Sequence, residues 1–263
     1  MTKKALLIGI NYIGQKGELN GCINDANNLA TTLKEQYGYN EEDITMLTDT
    51  SSKKPEKQTI LKELYKLITA ANQQHLEELW ISYSGHGSYI PDANSDEQDK
   101  RDETLVPVDY KKQGMITDDI LHHMLSMVNE NTKVIVLIDS CHSGSMLDLK
   151  YRYISGLKQV VENPKDYIKS NVIMVSGCLD NQTSADFYNH NDKEFAGAMT
   201  VAFLQVLKDN NYNITCFKLL KEMRKHLGGK FTQVPQLCCT SPLDQTTVFS
   251  LNQKNASYLT VKK

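Results

Sequence analysis

Long apolar runs are missing from this 263-residue chain: no stretch reaches the roughly 18 consecutive apolar residues of a membrane-spanning helix, so no membrane partner is expected. The opening MTKKALLIGI begins like a secretory signal, but Asn11 interrupts its apolar run and no small-residue cleavage site follows. Basic clusters are also missing. Lys and Arg total 29 against 32 Asp and Glu, a formal charge of −3, which leaves no electrostatic footprint for nucleic acid. The six cysteines, at 22, 141, 178, 216, 238 and 239, have neither CxxC spacing nor a regular framework, which argues against a disulfide scaffold and for reduced thiols in a cytoplasmic or nuclear compartment. No cysteine or histidine pair recurs at ligand spacing, so a zinc site is not expected. Internal repeats and low-complexity segments are absent as well.

What remains is an alternation of elements. Apolar runs at 4–10, 43–47, 78–83, 133–139 and 172–176 read as buried strands. Helical spacing marks 25–36, 57–72, 117–128, 195–208 and 214–226, illustrated by Leu61, Leu64, Tyr65 and Ile68. Asn24 before Asp25 and Thr117 before Asp118 are candidate helix starts. Such alternation predicts an α/β fold, a mostly parallel sheet with helices on both faces. VPQLCC and TTVFSL near the end are candidate edge strands. Residues 88–104 and 149–170 read as long irregular loops, the second polar and broken by Gly156 and Pro164. His122 and His123 read as surface residues of a helix, and residues 252–263 as a disordered tail.

Two apolar runs end in reactive chemistry. LEELWISYSGHG closes on His86 and Gly87, and KVIVLIDSCHSG delivers Cys141. Side chains two apart on a strand share a face, so Ser84 projects with His86 and Asp139 with Cys141. If the strands are parallel neighbours, all four meet at one carboxyl edge, where open α/β sheets bind ligands. Gly85, Gly87 and Gly144 suit a sharply turning backbone that a peptide approaches closely. A thiol with an ordinary pKa near about 8.5 needs an imidazole beside it to supply thiolate at neutral pH. Cys141 is thus the candidate nucleophile and His86 the candidate base, with the backbone N–H groups of Gly87 and Cys141 as oxyanion donors. No third carboxylate is required. His142, adjacent to Cys141, points to the opposite face and is the weaker base.

These motifs resemble those of the metacaspases, caspase-like cysteine peptidases. SYSGHG and DSCHSG resemble the two catalytic motifs, LNGCINDANNL the amino-terminal motif, and DETLVPVDY the segment after the histidine. SGCLDNQTSAD, GAMTVAF and VPQL resemble the small-subunit half. Ser82 departs from the histidine or phenylalanine that often opens the first motif. The resemblance implies one caspase-like three-layer α/β/α sandwich over 1–251: a large-subunit-like part at 1–148, a loop at 149–170 and a small-subunit-like part at 171–251. It is closest to a stripped type I arrangement, without a proline-rich extension or a very long linker, and implies a monomer.

Charge bears on specificity. Asp139 lies on the face of Cys141, and a carboxylate beside the reacting carbonyl favours Arg or Lys before the scissile bond. By resemblance, Asp25 and Ser84 line the same basic-specific pocket. Asp25 as a helix amino-terminal charge, and Asp139 as an acceptor for loop backbone, are the competing readings. Cleavage after aspartate would need a basic pocket, and neither motif supplies arginine. DANSDEQDKRDE at 92–103 imitates an EF-hand loop but has Glu97 where glycine is needed and no flanking helices. The resemblance instead carries a Ca²⁺ site onto Asp102, Asp118, Asp119 and Asp148, against capping and solvation as the plain alternatives. The expected function is a calcium-dependent cysteine endopeptidase with self-cleavage in 149–170; the alternative is a caspase-like scaffold, weakly active or inactive, that binds peptide or protein partners.

Overall fold

Alternation along each central strand divides the protein into layers. In the computed structural model, which describes residues 2–91, 101–140, 146–155, 158–177, 186–189, 194–228 and 234–250, Leu6 and Ile8 pack into one apolar cluster while Ala5 and Leu7 pack into another on the opposite face. The period of two thus feeds two cores from one strand.

In chain order the elements are β1 (Lys3–Gly9), α1 (Cys22–Tyr37), β2 (Ile44–Thr48), α2 (Lys57–Gln74), β3 (Glu78–Ser84), β4 (Gly87–Pro91) and β5 (Arg101–Leu105). There follow α3 (Tyr110–Gln113), β6 (Ile116–Thr117), α4 (Asp118–Ser126), β7 (Lys133–Asp139), β8 (Tyr151–Ser155), β9 (Lys158–Val161) and β10 (Asn171–Ser176). The last are β11 (Asp186–Asn189), β12 (Glu194–Gly197), α5 (Ala198–Asp209), α6 (Cys216–Leu227) and β13 (Gln236–Cys239). The eight-stranded sheet runs β2-β1-β3-β7-β10-β13-β8-β9. From β2 to β10 every pairing is parallel, and from β10 to β9 every pairing is antiparallel. Leu64 and Leu67 of α2 and Leu121 and Leu125 of α4 cover one face; Leu29 of α1, Phe203 of α5 and Leu219 of α6 cover the other. Each such side chain contributes about 1.5–3 kcal/mol on full burial. The predicted mostly parallel α/β/α sandwich is therefore the fold observed. Among the described residues, no helix is long and apolar enough to cross a membrane.

Several local expectations change. VPQLCC forms β13, an interior strand between β10 and β8, because β8 and β9 extend the sheet beyond it. Of TTVFSL, the described residues 246–250 form no strand and contribute one isolated bridge, Val248 to Thr215, with Phe249 buried against Trp80. The two stretches read as irregular loops hold hairpin strands: β4 and β5 pair antiparallel, as do β8 and β9. On α2, Leu64 and Ile68 are buried, whereas Tyr65 is 57 % exposed, on the far side of the buried stripe. α1 starts at Cys22, before Asn24, with Gly21 at its cap, while Thr117 does cap α4. His122 is buried, its ring nitrogen Nε2 3.0 Å from Asp166 Oδ1 and its face stacked on Tyr167; His123 is exposed. Cys141, His142 and Gly144, most of the 92–103 segment and the tail 252–263 lie outside the described residues.

Candidate active site

Parallel register brings the predicted residues to one edge. Gly9 of β1 is level with Ser84 of β3, and Ser84 with Asp139 of β7, so the strands end together. β3 is buried along its whole length, which holds its terminus rigidly, and the chain leaves it through Gly85 into half-buried His86.

His86 Nε2 lies 2.6 Å from the carbonyl oxygen of Gly17. A carbonyl only accepts, so Nε2 carries the proton, and in the neutral ring Nδ1 is then the basic nitrogen. Gly17 stands at φ +86°, a left-handed conformation suited to glycine, and a Cβ there would meet His86 Nε2 at 3.3 Å. The loop that presents Gly17 is fixed by Asp49, whose carboxylate accepts the N–H groups of Asn11 and Ile13 at 2.7 and 3.1 Å. The Tyr12 ring lies over the imidazole at a centroid distance of 4.7 Å. Burial first, and neighbouring Tyr83 second, pushes the Tyr12 phenol well above its ordinary pKa, so its hydroxyl keeps its proton.

The expected pocket residues come together. Ser84 Oγ donates to Asp25 Oδ2 at 2.6 Å, and the Gly197 N–H, at the cap of α5, donates to Asp25 Oδ1 at 3.0 Å. Thr200, in the first turn of α5, donates both its N–H and its hydroxyl to Asp139 Oδ2, at 2.9 and 2.8 Å. Asp25 and Asp139 are 3 % and 4 % exposed. Both converge on Gly197: a Cβ built there would collide with Asp139 Oδ2 and lie 2.8 Å from Asp25 Oδ2. The amino-terminal end of α5 is partially positive and compensates two buried carboxylates at once. Asp139 accepts backbone N–H from the first turn of helix α5 and not from a loop, and Asp25 does sit in the first turn of α1.

A second acidic group lies elsewhere. Asp118 and Asp119, at the start of α4, and Asp148 each offer an oxygen within 4.8 Å of the others. Asp118 accepts the N–H of Glu103 at 2.6 Å and that of Asp119 at 2.8 Å. Asp148 holds a left-handed backbone at φ 46°, uncommon outside glycine. Asp102 stands outside this trio, buried in β5 beside Glu103. Oxygens on opposite sides of a calcium ion, each about 2.3–2.6 Å from it, lie about 4.6–5.2 Å apart, so the trio has the spacing and the hard-oxygen chemistry for that ion.

Cys216 and Cys239 are poor nucleophile candidates, since burial pushes their thiols up to about 11 and about 12. Sequence reasoning missed Gly17, Tyr12, Tyr83, Gly197 and Thr200. The motif GAMTVAF contained the last two, but its spacing does not say that a helix end meets aspartates from two other elements.

The family profile described as metacaspase, peptidase C14 domain matches residues 3–150. Metacaspase-1B of Aspergillus fumigatus is 36 % identical to this chain in an alignment covering 94 % of the chain and 72 % of that protein. In fold, the chain is similar to a Geobacter sulfurreducens protein of known structure, with TM-score 0.67 and 24 % identity over 95 % of this chain and 99 % of that one. It is also similar to the structure of pro-sf-caspase-1, with TM-score 0.56 and 12 % identity over 94 % of each chain. With a family match over more than half its length and such a relative spanning nearly all of it, the chain belongs to the metacaspases, a family of caspase-like cysteine peptidases.

Proposed function

We propose that this metacaspase is a calcium-dependent endopeptidase that cuts after Arg or Lys, with Cys141 as nucleophile and His86 as base. The observation that carries the reading is the convergence at one sheet edge of an oriented imidazole and two buried carboxylates, Asp25 and Asp139. A substrate guanidinium or ammonium entering beside that pair exchanges hydration for ionic hydrogen bonds, whereas an aspartate side chain meets like charge.

With Nε2 donating to Gly17, Nδ1 of His86 takes the Cys141 thiol proton. The thiolate attacks the scissile carbonyl, and the N–H groups of Gly87 and Cys141 stabilise the oxyanion, at about 3 kcal/mol per well-placed donor. His86 then returns the proton to the leaving amine and activates the water that releases the acyl-enzyme. A calcium ion held by Asp118, Asp119 and Asp148, with Asp102 in support, would supply the positive charge that relieves their mutual repulsion. The reading includes a monomer and a cytoplasmic or nuclear location.

Self-cleavage belongs to the same reading. Of the basic residues in 149–170, Arg152 lies in β8 with its Nε 2.9 Å from Glu162 Oε2, and Lys158 opens β9; both are tied into the sheet. Lys150, Lys165 and Lys169 lie outside any strand; Lys150 is half-buried, whereas Lys165 and Lys169 are exposed, where a protease can draw the chain out. Cleavage is therefore expected after Lys165 or Lys169.

The test compares wild type, Cys141→Ala and His86→Ala on peptide reporters ending in Arg, Lys or Asp, each with calcium and with chelator. Turnover of Arg and Lys reporters in calcium by wild type alone supports the reading. Preference for Asp, or equal rates in chelator, removes the pocket or the metal from it, and a peptide-binding scaffold is left if no reporter is cut.

A further inference from the structure

Two tyrosine hydroxyls beneath His86 account for the main-chain polar groups of two residues. The His86 N–H donates to Tyr12 Oη at 2.9 Å, and Tyr12 Oη donates to the Val106 carbonyl at 2.6 Å. Tyr83 Oη donates to the His86 carbonyl at 2.7 Å and accepts the Val106 N–H at 3.2 Å, an N–H it shares with the His86 carbonyl, also at 3.2 Å. Each hydroxyl thereby spends its single proton on a carbonyl and accepts one N–H. The two oxygens lie 3.1 Å apart, within hydrogen-bond distance of each other. Both tyrosines are 1 % exposed, and their bonds to Val106 are buried while those to His86 are partly so, which makes a lost partner costly.

Two further observations single out this arrangement. Tyr12 adopts φ 55°, a left-handed conformation that an aromatic residue rarely takes, and held there its ring covers the imidazole. A Cβ on Gly85 would fall 2.7 Å from the Tyr83 hydroxyl oxygen and 3.0 Å from that of Tyr12. The glycine before the histidine thus leaves the space that the hydroxyls packed under it occupy.

We propose that Tyr12 and Tyr83 are positioning residues of the catalytic histidine, a pair that clamps the His86 peptide groups to Val106 while the Tyr12 ring sets the plane of the imidazole. This rests on the reading of His86 as the base, and it assigns a function to side chains that touch neither substrate nor thiol. Since the loss falls on the geometry of proton transfer and not on substrate capture, it belongs in kcat and in the Cys141 thiolate population, with KM little changed.

The experiment is the variant Tyr12→Phe, alone and combined with His86→Ala. Kinetics on an Arg reporter are measured together with the pH dependence of Cys141 alkylation by iodoacetamide, located by mass spectrometry. Tyr12→Phe is expected to lower kcat roughly ten- to hundredfold, and to raise the apparent thiol pKa part of the way toward its His86→Ala value. In the His86→Ala background it should move that thiol pKa no further. Tyr83→Phe, which removes the donor to the His86 carbonyl but keeps the Tyr12 ring in place, supplies the second arm if Tyr12→Phe folds poorly by thermal melting. An unchanged kcat and thiol pKa in folded Tyr12→Phe and Tyr83→Phe overturns the proposal, as does an equal shift with and without His86. Wild-type turnover in His86→Ala itself would instead overturn the assignment of the base.

Discussion

Two groups of aspartates sit in this protein under opposite arrangements. Asp25 and Asp139 come from different elements but share the amino-terminal end of α5, where Gly197 and Thr200 bring three donors to them. Asp118, Asp119 and Asp148 come from the start of α4 and the stretch after Cys141, and their oxygens gather within 4.8 Å, with Asp148 in a left-handed backbone. The difference is one of charge compensation. A helix end offsets part of the charge of the first pair and fixes its geometry before any ligand arrives. Asp118 and Asp119 also sit at a helix start, but with Asp148 they gather three carboxylates at one point, and the proposed further compensation comes from outside, as a hard cation, which makes the group suited to regulation.

The largest test of this contrast is Asp139→Ala or Asp25→Ala. Losing one partner of a desolvated charge pair costs about 2–5 kcal/mol, so turnover of Arg and Lys reporters should fall by roughly thirtyfold to several thousandfold, read as kcat/KM. Next comes the cation: at a calcium concentration about 100 times Kd, binding should stabilise the native state by about 2.7 kcal/mol. The joint substitution Asp118→Asn and Asp119→Asn should abolish that rise in thermal midpoint together with the stimulation of activity. Gly197→Ala drives a methyl group against both pocket carboxylates, and the overpacking should cost about 1–3 kcal/mol and lower kcat/KM for Arg reporters, while leaving the calcium shift intact. The smallest effect is expected from Thr200→Val, which removes the hydroxyl donor to Asp139 but keeps the N–H. A loss of about 1 kcal/mol, or roughly fivefold in kcat/KM, should be recovered in Thr200→Ser.

The same contrast shows what was legible in the sequence. β1, β3, β7 and β10 were readable because burial on both faces leaves continuous apolar runs. The β8–β9 hairpin was not, since it closes the sheet at an edge where Lys158 and Gln159 face water, and only residues such as Tyr153 carry a core signal. β13 passed for an edge strand because nothing in VPQLCC says that a later neighbour is supplied by an earlier, polar segment. His122 looked like a surface residue because its partner Asp166 lies 44 residues away. In the site, Ser84 and Asp139 could be placed by the strand period and Asp25 by motif likeness, whereas His86 lies two residues beyond the end of β3. Gly17 acts through a carbonyl and α5 through its amide groups, and main-chain chemistry of that kind leaves no residue-type signature.

The central claim, an enzyme whose His86 and Cys141 act beside a carboxylate pocket for a basic side chain, is tested most directly by one ratio. Wild type in calcium is assayed on two peptides identical except for arginine or citrulline before the scissile bond, a change that removes charge while keeping shape, with Cys141→Ala as the control. The account predicts an Arg-to-citrulline ratio in kcat/KM of roughly thirtyfold or more, and no cleavage of either peptide by Cys141→Ala. Equal rates on the two peptides, or cleavage that persists in Cys141→Ala, would contradict it.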